Sequence, residues 1–192
     1  METAAEILKV ARAAFEKRGL EGLSLREIAK KVGITPMAIY RHYDNKQALI
    51  DALVLDALDE WSAIAAKVRK APPLKWIQQL SEAHVEFALK KPRRYEAAFL
   101  LHTAKARRYP DDFEAGRSPV GALQMRLIGQ LIDQGIFHAT TPLEAFVIIA
   151  GLSQGLITQY RAGRIAGGER EFRAFYAHAM QRCFQSFSRK SS

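Results

Sequence analysis

Between Ser24 and Tyr43 two short amphipathic segments meet at a single glycine, and few folds accept that arrangement. Ser24-Leu25-Arg26-Glu27 has the pattern of a capping box that starts a helix. Leu25, Ile28, Ala29 and Val32 form its apolar stripe, and Gly33 stops it after barely two turns. Thr35 then supplies an N-cap with Pro36 at the first helical position, the place where a missing N–H costs nothing. This next helix has room to run only to about Tyr43, because Asp44-Asn45 breaks it. Ala29 is small enough to let the two helices approach, Gly33 can take positive φ, and Ile34 and Ile39 close the wedge. Two helices so joined describe a helix-turn-helix, whose second helix lies in the major groove of DNA.

The rest of the chain reads as helix too. Ala4, Ile7, Leu8, Ala11, Ala14 and Phe15 recur at helical spacing before Gly19, and Asn45 can cap a long helix from Lys46 to about Lys67. Ala71-Pro72-Pro73 is the clearest linker. Beyond it, start and stop signals mark helices over about 74–90, 92–105, 119–135, 142–162 and 169–187, with Thr141-Pro142-Leu143-Glu144 a second capping box. No strand alternation and no internal repeat emerge. The expectation is an all-α chain of about nine helices: a three-helix helix-turn-helix domain over 1–47 and a larger helical domain over 48–192.

Charge supports a polyanionic partner without locating it. The chain carries 29 Lys and Arg against 20 Asp and Glu, a net of +9, and each phosphate neutralised would release counterions. Yet residues 1–47 hold nine basic and six acidic residues, a net of +3, whereas residues 67–108 hold eleven and three, a net of +8. The lone Cys183 cannot form an internal disulfide, which suits a reducing cytoplasm, and its simplest role is a small buried hydrophobe. No signal peptide is read at the start. The most apolar stretch, Phe146 to Ile157, is interrupted by Gly151, Ser153, Gln154 and Gly155 and is too short to span a bilayer.

The run Gly33-Ile34-Thr35-Pro36-Met37-Ala38-Ile39-Tyr40-Arg41-His42-Tyr43-Asp44-Asn45-Lys46-Gln47-Ala48-Leu49 closely resembles the recognition-helix signature of the tetracycline-repressor (TetR) family. Its most specific part is Ile39-Tyr40-x-His42-Tyr43-x-Asn45-Lys46, and Ser24 to Ala29 also matches. The resemblance covers about residues 7–50. Further on, Phe87 to Pro92 with Tyr95 is similar to a stretch of many members' ligand domains, although Arg93-Arg94 stands where an acidic or neutral residue is common. Asn45 replaces a frequent Ser and Ala48 a frequent Glu, which keeps the cap and loses its reciprocal contact. The resemblance implies a homodimer, two heads on a palindromic operator in double-stranded DNA, repression of transcription, and release by a small-molecule effector. It places phosphate contacts at Tyr40, His42 and Lys46, base reading at Thr35, Pro36, Met37 and Arg41, and completes the DNA set with Ser24 and Arg26. Tyr43, by its spacing, belongs with the core against Phe15 and Leu49.

For the body the same resemblance suggests an effector pocket, largely apolar, among Trp61, Trp76, His84, Phe87, Tyr95, Phe99, His102, Phe113 and Met125. Core filling is the competing reading of each. A dimer interface is expected from Phe146, Ile149, Leu152 and Leu156 with Phe172, Phe175, Tyr176 and Met180, as a four-helix contact about a two-fold axis. The basic stretches Lys90–Arg94 and Lys105–Arg108 read either as solvated helix ends or as an electrostatic surface for DNA or an anionic effector.

An enzyme is the rival class. The histidines (His42, His84, His102, His138, His178) are scattered, and no metal-ligand pair, phosphate loop, nucleophile elbow or paired-carboxylate motif is present. No cofactor is expected. A second rival, an architectural DNA-binding protein without an effector, would share the head and carry a solid body.

Overall fold

The computed structural model describes residues 2–139 and 141–188, and every regular element among them is helical. In chain order these are α1 (Glu2–Arg18), a 3-10 turn (Gly19–Gly22), α2 (Leu25–Val32), α3 (Pro36–Ile39), α4 (Lys46–Ala66), α5 (Pro73–Lys90), α6 (Pro92–Phe99), α7 (Asp111–Glu114), α8 (Pro119–Asp133), α9 (Pro142–Arg161) and α10 (Glu169–Phe187). The all-α expectation stands. Two helices end early: α3 tightens after Ile39 into a turn, with the His42 N–H donating to the Ile39 carbonyl at 2.9 Å. The segment expected as helix over 92–105 stops at Phe99, and the short α7 carries no signal read from the sequence.

The chain forms two compact units, Met1–Trp61 with Lys90–Ala106, and Ser62–Leu89 with Arg107–Ser192. This division runs along other lines than the partition at residue 47, because the first unit includes α6 and the division falls between Trp61 and Ser62, within the sequence of α4.

In the first unit Ile7, Ala11 and Phe15 of α1, Ile28 and Ala29 of α2, Ile39 of α3, Leu49, Leu53 and Ala57 of α4 and Ala97 of α6 share one core. Burying a side chain such as Phe15 stabilises by about 1.5–3 kcal/mol, so this core orders three helices too short to stand alone. Tyr43 packs against the same core, and its hydroxyl donates to the Ala4 carbonyl at 3.2 Å. Burial, with the nearby Asp56 charge, raises its phenol above the usual range.

The same unit also holds a cluster of charge. The Arg94 side chain is only 4% exposed; it donates from Nη2 to Asp56 at 2.6 Å and from Nε to Glu60 at 2.5 Å. Lys91 also reaches Glu60, and Arg12 approaches Asp56 at 3.6 Å, so α1, α4 and α6 are joined. Burial pushes the Glu60 carboxyl up, but hydrogen bonds from Lys91 and Arg94 outweigh it and hold it below its ordinary value.

The second unit buries polarity without charge. Its core includes Ile77, Leu80, Leu127, Ile128, Phe137, Ile149, Ile157 and Phe172, with Tyr160 stacked on Phe172 at 4.0 Å. Through it runs a chain of neutral groups. The Tyr176 hydroxyl donates to the Ser81 carbonyl at 3.1 Å. Having spent its proton, it accepts from Ser153, 2.7 Å away, and Ser153 accepts from His84 Nδ1–H at 2.9 Å. Burial holds His84 neutral, its pKa pushed down to about 4. It pushes the Tyr176 phenol far up despite the bond from Ser153, and the Glu82 charge adds to the rise.

Candidate nucleic-acid interface

The helix-turn-helix is assembled by local bonds before any ligand is needed. Ser24 Oγ accepts from the Glu27 N–H at 3.4 Å and Thr35 Oγ1 from the Ala38 N–H at 3.2 Å. The capping box expected at Ser24 is half made, because the Glu27 carboxylate turns away to Arg18 at 2.6 Å; that hydrogen bond and charge lower its pKa. Gly33 has φ 79°, and its N–H donates to the Ala29 carbonyl. A Cβ there would meet no atom within 4 Å, so the glycine answers a backbone requirement. Gly22 is the opposite case: a Cβ would lie 2.6 Å from the Ala14 carbonyl oxygen, so close approach to α1 excludes any side chain.

The surface so held is exposed and cationic. Arg26, Thr35, Pro36, Met37, Tyr40, Arg41, His42 and Lys46 are all exposed, and Ser24 is half-buried. Met37 is 71% and Tyr40 45% exposed, unusual for large apolar side chains in a chain that has a core to put them in. Arg26, Arg41 and Lys46 form no ion pair among the described residues, whereas Arg12, Arg18, Lys91, Arg93 and Arg94 are all paired. Asn45 Oδ1 accepts from the Ala48 N–H at 2.9 Å. Lys46 thus sits at the positive end of α4, where its own charge is unfavourable and an anion is favoured.

The basic stretch at 90–94 belongs elsewhere. Arg94 is buried against Asp56 and Glu60 and is no solvated helix end, whereas Arg93 pairs with Glu96 at 2.7 Å and keeps 42% of its side chain exposed. A solitary run of cations gives no sign of the Arg94 pairing, since Asp56 and Glu60 lie on another helix. Asp56 and Glu60, four residues apart on α4, were the available signal.

The residues expected to line an effector pocket fall in both units. Trp61, Tyr95 and Phe99 pack together in the first, at ring separations of 6.3 and 5.0 Å, while His102 is exposed. In the second, His84, Phe87 and Phe113 are buried, and Trp76 and Met125 half-buried. Phe113 lies 4.0 Å from Tyr109 and 5.4 Å from Phe146. The polar chain through Ser81, Ser153 and Tyr176 went unread, because only folding brings the three helices together. Of the expected interface residues, Phe146, Ile149, Phe172, Tyr176 and Met180 are buried inside the chain and are corrected to core. Leu152 and Leu156 are half-buried, and Phe175 is 50% exposed. The broad stripe of α9 is two faces: Phe146, Ile149 and Ser153 point inward, Val147, Ile148, Gly151 and Gly155 outward.

No described helix is long and apolar enough to cross a membrane. The family model for bacterial regulatory proteins of the tetR family matches residues 7–53, and that for the tetracyclin repressor-like C-terminal domain matches residues 77–183. The HTH-type transcriptional regulator TtgR of Pseudomonas putida is 48% identical over 59 residues, which cover 31% of this chain and only 28% of that protein. The class A tetracycline repressor protein from transposon 1721 of Escherichia coli is 25% identical over 167 residues, 85% of this chain and 69% of the repressor. The solved structure of RolR in complex with resorcinol superimposes with a TM-score of 0.67 at 18% identity, covering 98% of this chain and 94% of that one.

Proposed function

Because the chain belongs to the tetR family of bacterial regulatory proteins, with models of both family domains matched along it, we propose that it is a dimeric transcriptional repressor, released from a palindromic operator by a small molecule. The observation that carries DNA reading is the pairing of exposed Met37 and Tyr40 with unpaired Arg26, Arg41 and Lys46 on one capped helix-turn-helix. Thr35, Pro36, Met37 and Arg41 would meet base edges, and Tyr40, His42 and Lys46 the backbone, with Ser24 and Arg26 completing the contact from α2.

Selection of bound duplexes from a random pool tests this directly. Recovery of a palindrome supports the reading; a well-folded protein that enriches no sequence overturns it. On the selected duplex, Lys46→Ala should shrink the salt slope of binding by about one unit, as one lost phosphate contact requires. Arg41→Ala should instead relax base preference.

The dimer is supported by the outward face of α9 and α10. Ile148 is 47% exposed, and a Cβ at Gly151 or Gly155 would meet nothing within 4 Å. Glycine inside a helix costs about 1 kcal/mol relative to alanine, and nothing among the described residues requires it at these two positions. Close approach of a second copy's helix would. Ile148→Arg with Phe175→Glu should therefore yield a monomer in sedimentation; a dimer that survives both changes would place the interface elsewhere.

For the effector, the support is a body rich in buried rings and an indole N–H at Trp76 that is buried without a hydrogen-bond partner among the described residues. The tetracycline repressor, a relative, carries a ring compound in its name, and RolR, which shares the fold, was solved with resorcinol bound.

A further inference from the structure

The second unit carries a groove of about 700 Å³ between α5 and α10, a volume suited to a small organic molecule. Val85, Met180 and Phe184 give it an apolar lining, and Gln79, Glu82 and Glu86 stand on the α5 side. We propose that this groove binds an amphipathic amine, a molecule with an apolar body and a protonated primary amino group.

The chemistry of the α5 side selects the charge. Glu86 is neutralised by Arg173 at 2.6 Å, and Arg173 is further committed to Glu169 at 2.8 Å. The Glu82 carboxylate has no ion pair or hydrogen bond among the described residues. Three residues away, on the same face of α5, Gln79 Oε1 is buried with no hydrogen-bond partner among the described residues. An unmet buried acceptor is costly, and a ligand that donates to it recovers that cost. Tyr176 cannot act as a donor here, since its proton is held by the Ser81 carbonyl. The polar side of the groove thus offers an unmet acceptor and one free negative charge beside the amides of Gln78 and Gln181, and Arg173 is committed to two carboxylates. An ammonium group meets both needs, donating to Gln79 and Glu82 while its apolar body covers Val85, Met180 and Phe184.

A second copy of the chain is a poorer occupant. Phe175, on the outward face of α10, lies about 140° around the helix from Met180 at 100° per residue, so a dimer built on Phe175 leaves the groove open. The site is independent of the regulator reading; only its consequence, release of DNA, rests on that reading.

Calorimetric titration of the full chain with 4-phenylbutylamine, and with 4-phenylbutanol as its neutral counterpart, tests the proposal. The amine should bind at least tenfold more tightly than the alcohol. Glu82→Gln should remove that preference and leave the alcohol unaffected, and Ala177→Trp, which fills the groove, should abolish both. Glu82 and Ala177 are exposed, so thermal melting should confirm that both variants fold. No binding of the amine, equal binding of amine and alcohol, or an amine affinity unchanged in Glu82→Gln would each overturn the site. On a selected duplex, the amine should release the wild-type protein and not Glu82→Gln. Retained DNA with intact amine binding would overturn the regulatory consequence while the site itself stands.

Discussion

The two compact units bury polar groups by opposite means. The first unit sinks a full charge, Arg94, and neutralises it with Asp56 and Glu60. Among the described residues the second sinks only neutral groups, passing one hydrogen bond to the next from His84 through Ser153 and Tyr176 to Ser81. The first arrangement is costly to build and costlier to interrupt, because removal of one ion strands the others. The second is inexpensive at neutral pH but depends on a histidine that must not gain a proton. Each unit therefore has its own point of failure.

The largest effect should follow from Arg94→Ala. Leaving Asp56 only Arg12 at 3.6 Å and Glu60 only Lys91 should lower stability by about 3 kcal/mol, read in urea, which leaves ionic strength unchanged. Replacing Asp56 by Asn and Glu60 by Gln in the same chain should return part of the loss. A cost below about 1 kcal/mol would mean that solvent screens the cluster as it would a surface pair, and the contrast between the units would vanish.

Acid sharpens the contrast. His84 titrates at about 4 when folded, against an ordinary 6.5, so between those values the unfolded chain binds more protons. Stability is then complete above pH 6.5 and declines as pH falls, by up to ~1.4 kcal/mol per pH unit, or about 2 kcal/mol by pH 5. The ion cluster behaves otherwise. Glu60 lies below its ordinary 4.5 when folded, so its contribution persists above pH 4.5 and is lost only as pH falls through the folded value. His84→Asn should flatten the slope between pH 6.5 and 5, whereas Glu60→Gln should not. Equal slopes in the three proteins would break the assignment.

The smallest effect tests how far the first unit relies on local bonds. Ser24→Ala should cost about 0.5–1 kcal/mol, toward the low end because the Ser24 cap is long and Glu27 is engaged with Arg18. A larger loss would show that α2 depends on its cap more than on the shared core.

The helix-turn-helix could be read from the sequence because its determinants are local: Ser24, Gly33, Thr35 and Asn45 act within three or four residues of themselves. The end of α6 could not. No glycine or proline follows Phe99 for ten residues. The Leu101 N–H nevertheless reaches back to the Glu96 carbonyl, and buried Thr103 accepts from the Lys105 N–H, turning the chain. The apolar stripe of α9 was visible, but which half faces inward depends on neighbours that spacing does not name. Arg94 resisted for the same reason: the composition of a segment shows charge, and only packing shows what it is paired with.

The first unit is not one continuous stretch of sequence. It takes Met1–Trp61 and then, after 28 residues that belong to the second unit, Lys90–Ala106. A chimera that exchanges heads between relatives by a single crossover in α4 would leave α6 behind, along with Ala97 from the core and Arg94 from the cluster. The transplanted head would arrive without Arg94 and Lys91, leaving Glu60 neither of its cations and Asp56 only Arg12 at 3.6 Å. A new DNA specificity is therefore better installed by replacing surface residues of α2 and α3 than by exchanging the segment, and natural recombination within this fold faces the same seam.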